Sequence, residues 1–198
     1  MKELPRPNSM KSRKGFSLLE LIVVVGILLA VAAMSIPNMM SVVANARLHA
    51  GLTNVSGVLQ NCRMLAVKQN RTMTARITTE RSGIIAYIKA ATDKSGLKAS
   101  DPQVQWEAPI RAVDEPTGVG APSALDSDVL GFKPETGAPS FNSRGLPCVY
   151  DSGSCPNKGF VYYFKDTRQS GRNGWAAISI SPAGRIKKWF WNGSAWSD

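Results

Sequence analysis

The sequence predicts an α+β fold in which a long N-terminal helix packs on an antiparallel β-sheet. Residues 16–36 are predominantly apolar and carry one charge, Glu20, and apolar residues then recur at helical spacing as far as Ala66. From Thr72 onwards the pattern changes to short alternating runs separated by Gly- and Pro-containing segments, which are typical of strands and turns. We found no internal repeat.

Residues 1–15 have the composition of a targeting leader. They contain two prolines and five basic residues against a single Glu, and they end at Gly15. The basic leader accounts for part of the formal net charge of +10. The remaining positive charge favours an anionic partner without identifying one.

The apolar run 16–36 predicts that the first half of the long helix spans a membrane. At about 1.5 Å per residue such a helix spans about 30 Å, the hydrocarbon thickness of a bilayer. The basic leader predicts a cytoplasmic N-terminus and a periplasmic C-terminal domain. A cleaved secretory signal peptide is the alternative, with Ala30-Val31-Ala32 as its cleavage site. However, the run exceeds the usual 7–15-residue apolar core, so we favour a retained anchor.

Residues 37–71 predict the amphipathic half of the same helix. Pro37 removes one helical hydrogen bond and predicts a kink. The apolar stripe beyond it recurs at steps of three and four residues and predicts one face packed against a domain; it consists of Leu48, Leu52, Val55, Leu59, Cys62 and Ala66. Cys62 lies on this stripe, so we expect it to be a buried free thiol.

Residues 72–198 predict a β-rich globular domain. The runs 72–79 and 84–90 predict a hairpin, and 160–164, 176–180 and 185–191 predict three further strands. Residues 93–140 are rich in Gly, Pro, Ser and Asp, and only 104–106 and 129–132 suggest short strands there.

The spacing of Cys148 and Cys155 favours a disulfide across a polar, Gly-containing loop. This interpretation requires export to an oxidising compartment. A zinc site is the weaker alternative, since a second pair of ligands is not evident. We therefore predict neither a metal site nor a cofactor.

Gly15-Phe16, Glu20 and Pro37 together resemble the N-terminal pattern of the type IV pilin and type II secretion pseudopilin families. The resemblance implies cleavage between Gly15 and Phe16 by prepilin peptidase and N-methylation of Phe16. It also implies that Glu20 and Pro37 serve assembly with other pilin or pseudopilin subunits. A plain single-pass anchor with a tolerated Glu is the alternative interpretation.

The C-terminal half resembles the GspH/FimT/FimU group of minor pilins and pseudopilins. The matching segments are Phe141-Asn142-Ser143-Arg144-Gly145 and residues 178–187, which end in Gly184-Arg185-Ile186-Lys187. The resemblance implies a structural subunit, not an enzyme, placed near the tip of a type IV pilus or a type II secretion pseudopilus. The pattern does not separate the two machines.

The last strand suggests an alternative function, DNA binding during natural uptake. Some FimT-type pilins bind DNA through a Gly-Arg-x-Arg motif, and here the final position is Lys187. Lys preserves the charge but not the bidentate geometry of Arg. Cations beside exposed aromatic rings can hold phosphates and stack bases; the candidates are Arg185, Lys187, Lys188, Trp189 and Trp191. A basic strand whose indoles pack on protein remains the alternative.

Candidate catalytic groups are few. His49, the single histidine, lies within the predicted helix without an evident ligand set or nucleophile. No Gly-x-Ser-x-Gly turn and no P-loop occurs in the sequence. We therefore expect a non-enzymatic protein.

Overall fold

The structure is a computed structural model that describes residues 16–80, 83–107, 110–114, 116, 118–120, 122, 138–169 and 173–197. The chain divides into two compact units, Met1–Ser41 and Val42–Asp198. Gly15 and the rest of the predicted leader lie outside the described residues, as does the predicted short strand at 129–132.

Helix α1 extends over Leu18–Lys68 and continues through Pro37. Glu20 lies in its first turn and Lys68 in its last, where each charge interacts favourably with the helix dipole. Within the part of the chain that the structure describes, no helix is long and apolar enough to cross a membrane. The membrane-spanning half predicted for residues 16–36 is therefore not confirmed.

The predicted apolar stripe of α1 is confirmed as the centre of the domain core. Each of its six residues is at most 3% exposed, and Leu52, Cys62 and Ala66 are completely buried. Residues from two sheets pack against this stripe; they include Ile88, Phe141, Phe160, Phe164, Ile178 and Ile180. Burying apolar area on one helix face is what holds α1 to the sheets.

The first sheet has the strand order β3-β2-β1-β5-β6. The predicted hairpin is confirmed, because β1 (Met73–Glu80) pairs antiparallel with β2 (Gly83–Ala90). The short strand expected at 104–106 is present as β3 (Gln103–Glu107), which pairs with β2. Two-residue strands β5 (Ser140–Phe141) and β6 (Pro147–Cys148) complete this sheet.

The second sheet has the order β10-β9-β8-β7-β4. The three predicted strands are confirmed as β7 (Phe160–Asp166), β8 (Trp175–Ile180) and β9 (Ile186–Trp191). The edge strands β4 (Ile110–Val113) and β10 (Trp196–Ser197) were not predicted.

The expectation of one sheet is wrong, since the described strands form two sheets of five. Strand β3 belongs to the first sheet and the next strand, β4, to the second. Pro109 separates them in the sequence and has no N–H to continue a ladder. Proline is therefore a physical reason for the chain to leave one sheet and begin the other.

Candidate assembly segment and C-terminal strand

The N-terminal part of α1 presents an unusual amount of apolar surface. Phe16 is 76% exposed, and the large apolar side chains described between Leu18 and Val31 are also exposed. Glu20 is exposed among them. Contiguous apolar surface of this size indicates contact with another apolar partner. Cleavage, N-methylation and the roles of Glu20 and Pro37 stay predictions, because they concern events that one isolated chain does not display.

The predicted disulfide between Cys148 and Cys155 is present in the structure. It closes a short loop in which two backbone hydrogen bonds join Asp151 and Ser154. Cys148 is completely buried beside the core. Cys62 is the remaining cysteine and is a buried free thiol, as expected. Burial raises the pKa of Cys62 to about 12, so this thiol stays protonated near neutral pH.

Arg63 of α1 joins the two segments that carry the C-terminal resemblance. Its Nη1 donates a hydrogen bond of 3.2 Å to the carbonyl of Gly184 in the β8–β9 turn. A Cβ added at Gly145, in the β5–β6 turn, would lie 3.1 Å from Arg63 Nε. Both glycines have a positive φ, 75° for Gly145 and 84° for Gly184. The helix, the first sheet and the second sheet therefore meet at one guanidinium.

The candidate DNA-binding residues do not form a single surface. Lys188 contacts the helix, with its Nζ 3.5 Å from Thr53 Oγ1, whereas Lys187 lies on the opposite face over the Trp189 ring. Arg185 is exposed and precedes β9, which begins at Ile186. The five residues thus divide between a turn and two faces of one strand.

Trp189 is not exposed for base stacking, in agreement with the alternative in which the indoles of this strand pack on protein. Trp189 is 5% exposed, and its indole N–H donates a 2.9 Å hydrogen bond to Ser179 Oγ. It belongs to a second apolar cluster, with Val161, Tyr163 and Ala177, on the face of the second sheet opposite α1. Trp191 is half-buried and stacks edge-on with Trp196 at 5.6 Å. An alternating strand cannot reveal that both of its faces are covered.

His49 packs on Phe190 of β9. Its ring lies 3.6 Å from that of Phe190, with an angle of 17° between the planes. Among the described residues, no group of three or more His, Cys, Asp or Glu side chains is arranged to hold a metal ion.

A buried ionic network, which sequence reasoning missed, fixes the segment after β2. The Lys89 side chain is 1% exposed, and its Nζ lies 3.1 Å from Asp101 Oδ2 and 3.4 Å from Asp93 Oδ2. Lys89 also donates to Ser95 Oγ at 2.8 Å. Arg76 adds hydrogen bonds to the carbonyls of Asp93 and Ser95. The available signal was the alternation of β2, which places Lys89 on a defined face beside an Asp-containing loop.

Comparison with known proteins identifies the N-terminal segment. Residues 10–36 match the prokaryotic N-terminal methylation motif. This methylation motif is typical of type IV pilin-like proteins and indicates a substrate of prepilin peptidase that assembles with other pilin-like subunits. The matched range contains Gly15, Phe16 and Glu20 and ends one residue before Pro37. No curated protein and no solved structure matches the chain.

Proposed function

We propose that this protein is a minor pilin or pseudopilin of the GspH/FimT/FimU type that assembles into a type IV pilus or a type II secretion pseudopilus. The methylation motif carries this proposal. It is supported by an α+β domain in which a long helix packs on antiparallel sheets, an arrangement consistent with a pilin-like fold. The finer assignment depends on Phe141–Gly145 and Gly184–Lys187, which meet at Arg63.

The proposed location before assembly is the inner membrane, with the segment 16–36 as the anchor and residues 72–198 in the periplasm. The exposed apolar side chains from Phe16 onwards support this location because lipid and neighbouring helices both cover such a surface. The Cys148–Cys155 disulfide is also in keeping with an oxidising compartment.

The mechanism of assembly is a charge pairing, and it requires no catalytic residue in this chain. Peptidase cleavage between Gly15 and Phe16 creates a cationic amine on Phe16. A charged side chain within a membrane segment is costly and is usually paired. Glu20 is the fifth residue of the segment 16–36, so an unpaired Glu20 carries part of that penalty. Pairing the Phe16 amine of one subunit with Glu20 of a neighbour removes that penalty and fixes their register.

Processing is tested by expressing the full chain together with a prepilin peptidase and measuring the mass of the membrane-extracted protein. We expect loss of residues 1–15 and addition of a methyl group to Phe16. A bulky Gly15→Val substitution should abolish the mass change, whereas Ser12→Val, three residues earlier in the leader, should leave it intact. An unchanged mass for the unsubstituted chain would contradict the proposal.

Assembly is tested separately with Glu20→Gln, which keeps the size of the side chain and removes its charge. We expect this variant to be cleaved and methylated but not recovered in sheared filaments. Recovery equal to that of the unsubstituted chain would refute the pairing while leaving the processing result valid.

A further inference from the structure

The last turns of α1 expose apolar side chains on the globular domain. Beyond Val43, the large apolar side chains that are exposed in the described part of the chain are Met64, Val67 and Val113. Met64 is 64% exposed and Val67 is 52% exposed, and their spacing of three residues makes them neighbours on the helix surface. Lys68 is also exposed and lies four residues after Met64. This face of α1 therefore presents two apolar side chains and a cation to solvent.

Two exposed arginines lie on turns that contact this face. Val67 Cγ2 is 3.1 Å from the position of a Cβ at Gly145, and Arg144 directly precedes that glycine. The two turns also touch, because a Cβ at Gly184 would lie 3.4 Å from the carbonyl oxygen of Gly145. Arg185 directly follows Gly184. With 3.8 Å between consecutive Cα atoms, the Cα atoms of the two arginines are at most about 15 Å apart.

Side-chain oxygens fix the backbone of both arginines. Asn142 Oδ1 accepts hydrogen bonds from the N–H groups of Arg144, at 2.9 Å, and Leu146, at 3.1 Å. Ser181 Oγ accepts a hydrogen bond of 3.1 Å from the Arg185 N–H. Neither guanidinium forms a hydrogen bond or an ion pair with a residue that the structure describes. The backbone is therefore ordered before a partner binds, which lowers the entropic cost of binding.

Apolar side chains flanked by cations are typical of a protein–protein contact. Met and Arg are enriched in protein interfaces, where an apolar centre is surrounded by a polar rim. A guanidinium binds a carboxylate through two parallel hydrogen bonds. A nucleic acid also attracts cations, but it is held by phosphate contacts and by stacking on aromatic rings. Trp189, the aromatic residue nearest to Arg185 in the sequence, is buried. The surface therefore favours a protein that presents carboxylates beside apolar side chains.

The charge of the chain favours a partner with a different sequence. The formal net charge is +10. Two copies of the chain that met through this surface would bring cations together, which is unfavourable. The methylation motif indicates assembly with other pilin-like subunits. A different subunit of that class can supply the carboxylates.

We propose that the turn–helix patch binds a different pilin-like subunit through carboxylates of that subunit; this patch consists of Met64, Val67, Lys68, Arg144 and Arg185. The two apolar side chains form the centre of the contact, and the arginines pair with the carboxylates beside it. The inference rests on the proposed function, because assembly brings the second subunit to this surface. The whole patch lies in the second compact unit, so the contact requires no particular arrangement of the two units.

The test places the photo-crosslinking amino acid benzoylphenylalanine at Val67 of the full chain, expressed in the cells that assemble its filament. After irradiation we expect an adduct with a chain that carries its own N-terminal methylation motif. The crosslinked peptide of that chain should contain Asp or Glu. The same amino acid at Val113, an exposed valine on β4, is the matched control and should not give this adduct.

Charge reversals test the arginines. Arg144→Glu with Arg185→Glu should weaken the contact about a hundredfold or more, because like charges would then face each other. Lys94→Glu with Arg111→Glu makes the same change of net charge at exposed positions outside the patch and should leave the adduct yield unchanged. Replacing the crosslinked Asp or Glu of the partner by Arg should restore the adduct in the first variant.

The buried thiol of Cys62 reports whether each variant is folded, since it resists iodoacetamide only while the core is intact. If the double reversal exposes this thiol, the single variants Arg144→Gln and Arg185→Gln replace it. Each of them should lower the adduct yield without exposing the thiol. An undiminished yield in both would overturn the role of the arginines.

The outcomes separate the two proposals. A chain that keeps residues 1–15, or is absent from sheared filaments, overturns the proposed function. A processed chain that enters filaments but gives no Val67 adduct, or the same yield in the two double reversals, overturns only the turn–helix patch. An adduct with a second copy of this chain or with nucleic acid would also overturn the patch, because the proposal requires a different protein.

Discussion

Replacing Gly145 by Ala is the sharpest test of the contact among α1 and the two sheets. Gly145 has φ of 75°, and an added Cβ would lie 3.1 Å from both Arg63 Nε and Val67 Cγ2. The left-handed conformation costs an L-residue about 1–2 kcal/mol, and overpacking a filled site costs about 1–3 kcal/mol. We expect Gly145→Ala to lower the free energy of unfolding by about 2–5 kcal/mol.

Gly153→Ala is the matched control, since its φ is 94° and nothing lies within 4 Å of an added Cβ. It should cost only the backbone part, about 1–2 kcal/mol. Guanidinium unfolding of the full chain in detergent, followed by tryptophan fluorescence, measures both changes. In a chain of this size each kcal/mol lowers the Tm by about 2–4 °C. Equal losses for the two variants would show that packing on Arg63 does not constrain Gly145.

A double substitution identifies which side chain causes the steric cost of Gly145→Ala. In an Arg63→Ala background the added methyl at Gly145 no longer meets the guanidinium, although Val67 remains. The cost of Gly145→Ala should therefore fall by about 0.5 kcal/mol or more, as is usual for residues in contact. Strict additivity would assign the steric cost to Val67 alone.

Two further predictions concern the ionic network and the buried thiol. Desolvation lowers the pKa of Lys89, but hydrogen bonds and charges from Asp101 and Asp93 outweigh it and raise the pKa above 10.5. Hydrogen bonds from Ser95 depress the pKa of Asp93 below its ordinary 3.8. Desolvation raises the pKa of Asp101, but the hydrogen bond from the Lys98 N–H and the interaction with Lys89 outweigh desolvation and lower this pKa. Protection of amides 91–101 against hydrogen exchange should therefore hold between about pH 4 and pH 10 and decline as either the acids protonate or Lys89 deprotonates. It should be lost in Lys89→Met at neutral pH, and unchanged protection in that variant would contradict the reasoning. Burial raises the pKa of Cys62 to about 12. Cys62 should therefore resist iodoacetamide at pH 8 in the native chain and react once the chain is unfolded, which mass spectrometry measures. Rapid labelling of the folded chain would refute the burial of Cys62.

The predictable parts of the fold were those with a regular period. The stripe from Leu48 to Ala66 kept helical spacing over five turns, and the β1–β2 hairpin alternated on both sides of a short turn. Strands β5, β6 and β10 are only two residues long, so no period develops in them. Their existence depends on partners distant in the sequence, such as Met73 for Phe141.

The candidate functional residues also fall into those that the local sequence identifies and those that only tertiary contacts define. The sequence determined the match to the methylation motif, because the matched residues 10–36 are neighbours along one chain. Strand alternation already places Lys187 and Lys188 on opposite faces of β9. The tertiary structure alone decided that Trp189 is buried and that Arg63 lies against both Gly145 and Gly184. The physical reason is that burial and contact depend on which distant segments cover each face of a strand, and a local pattern does not encode that choice.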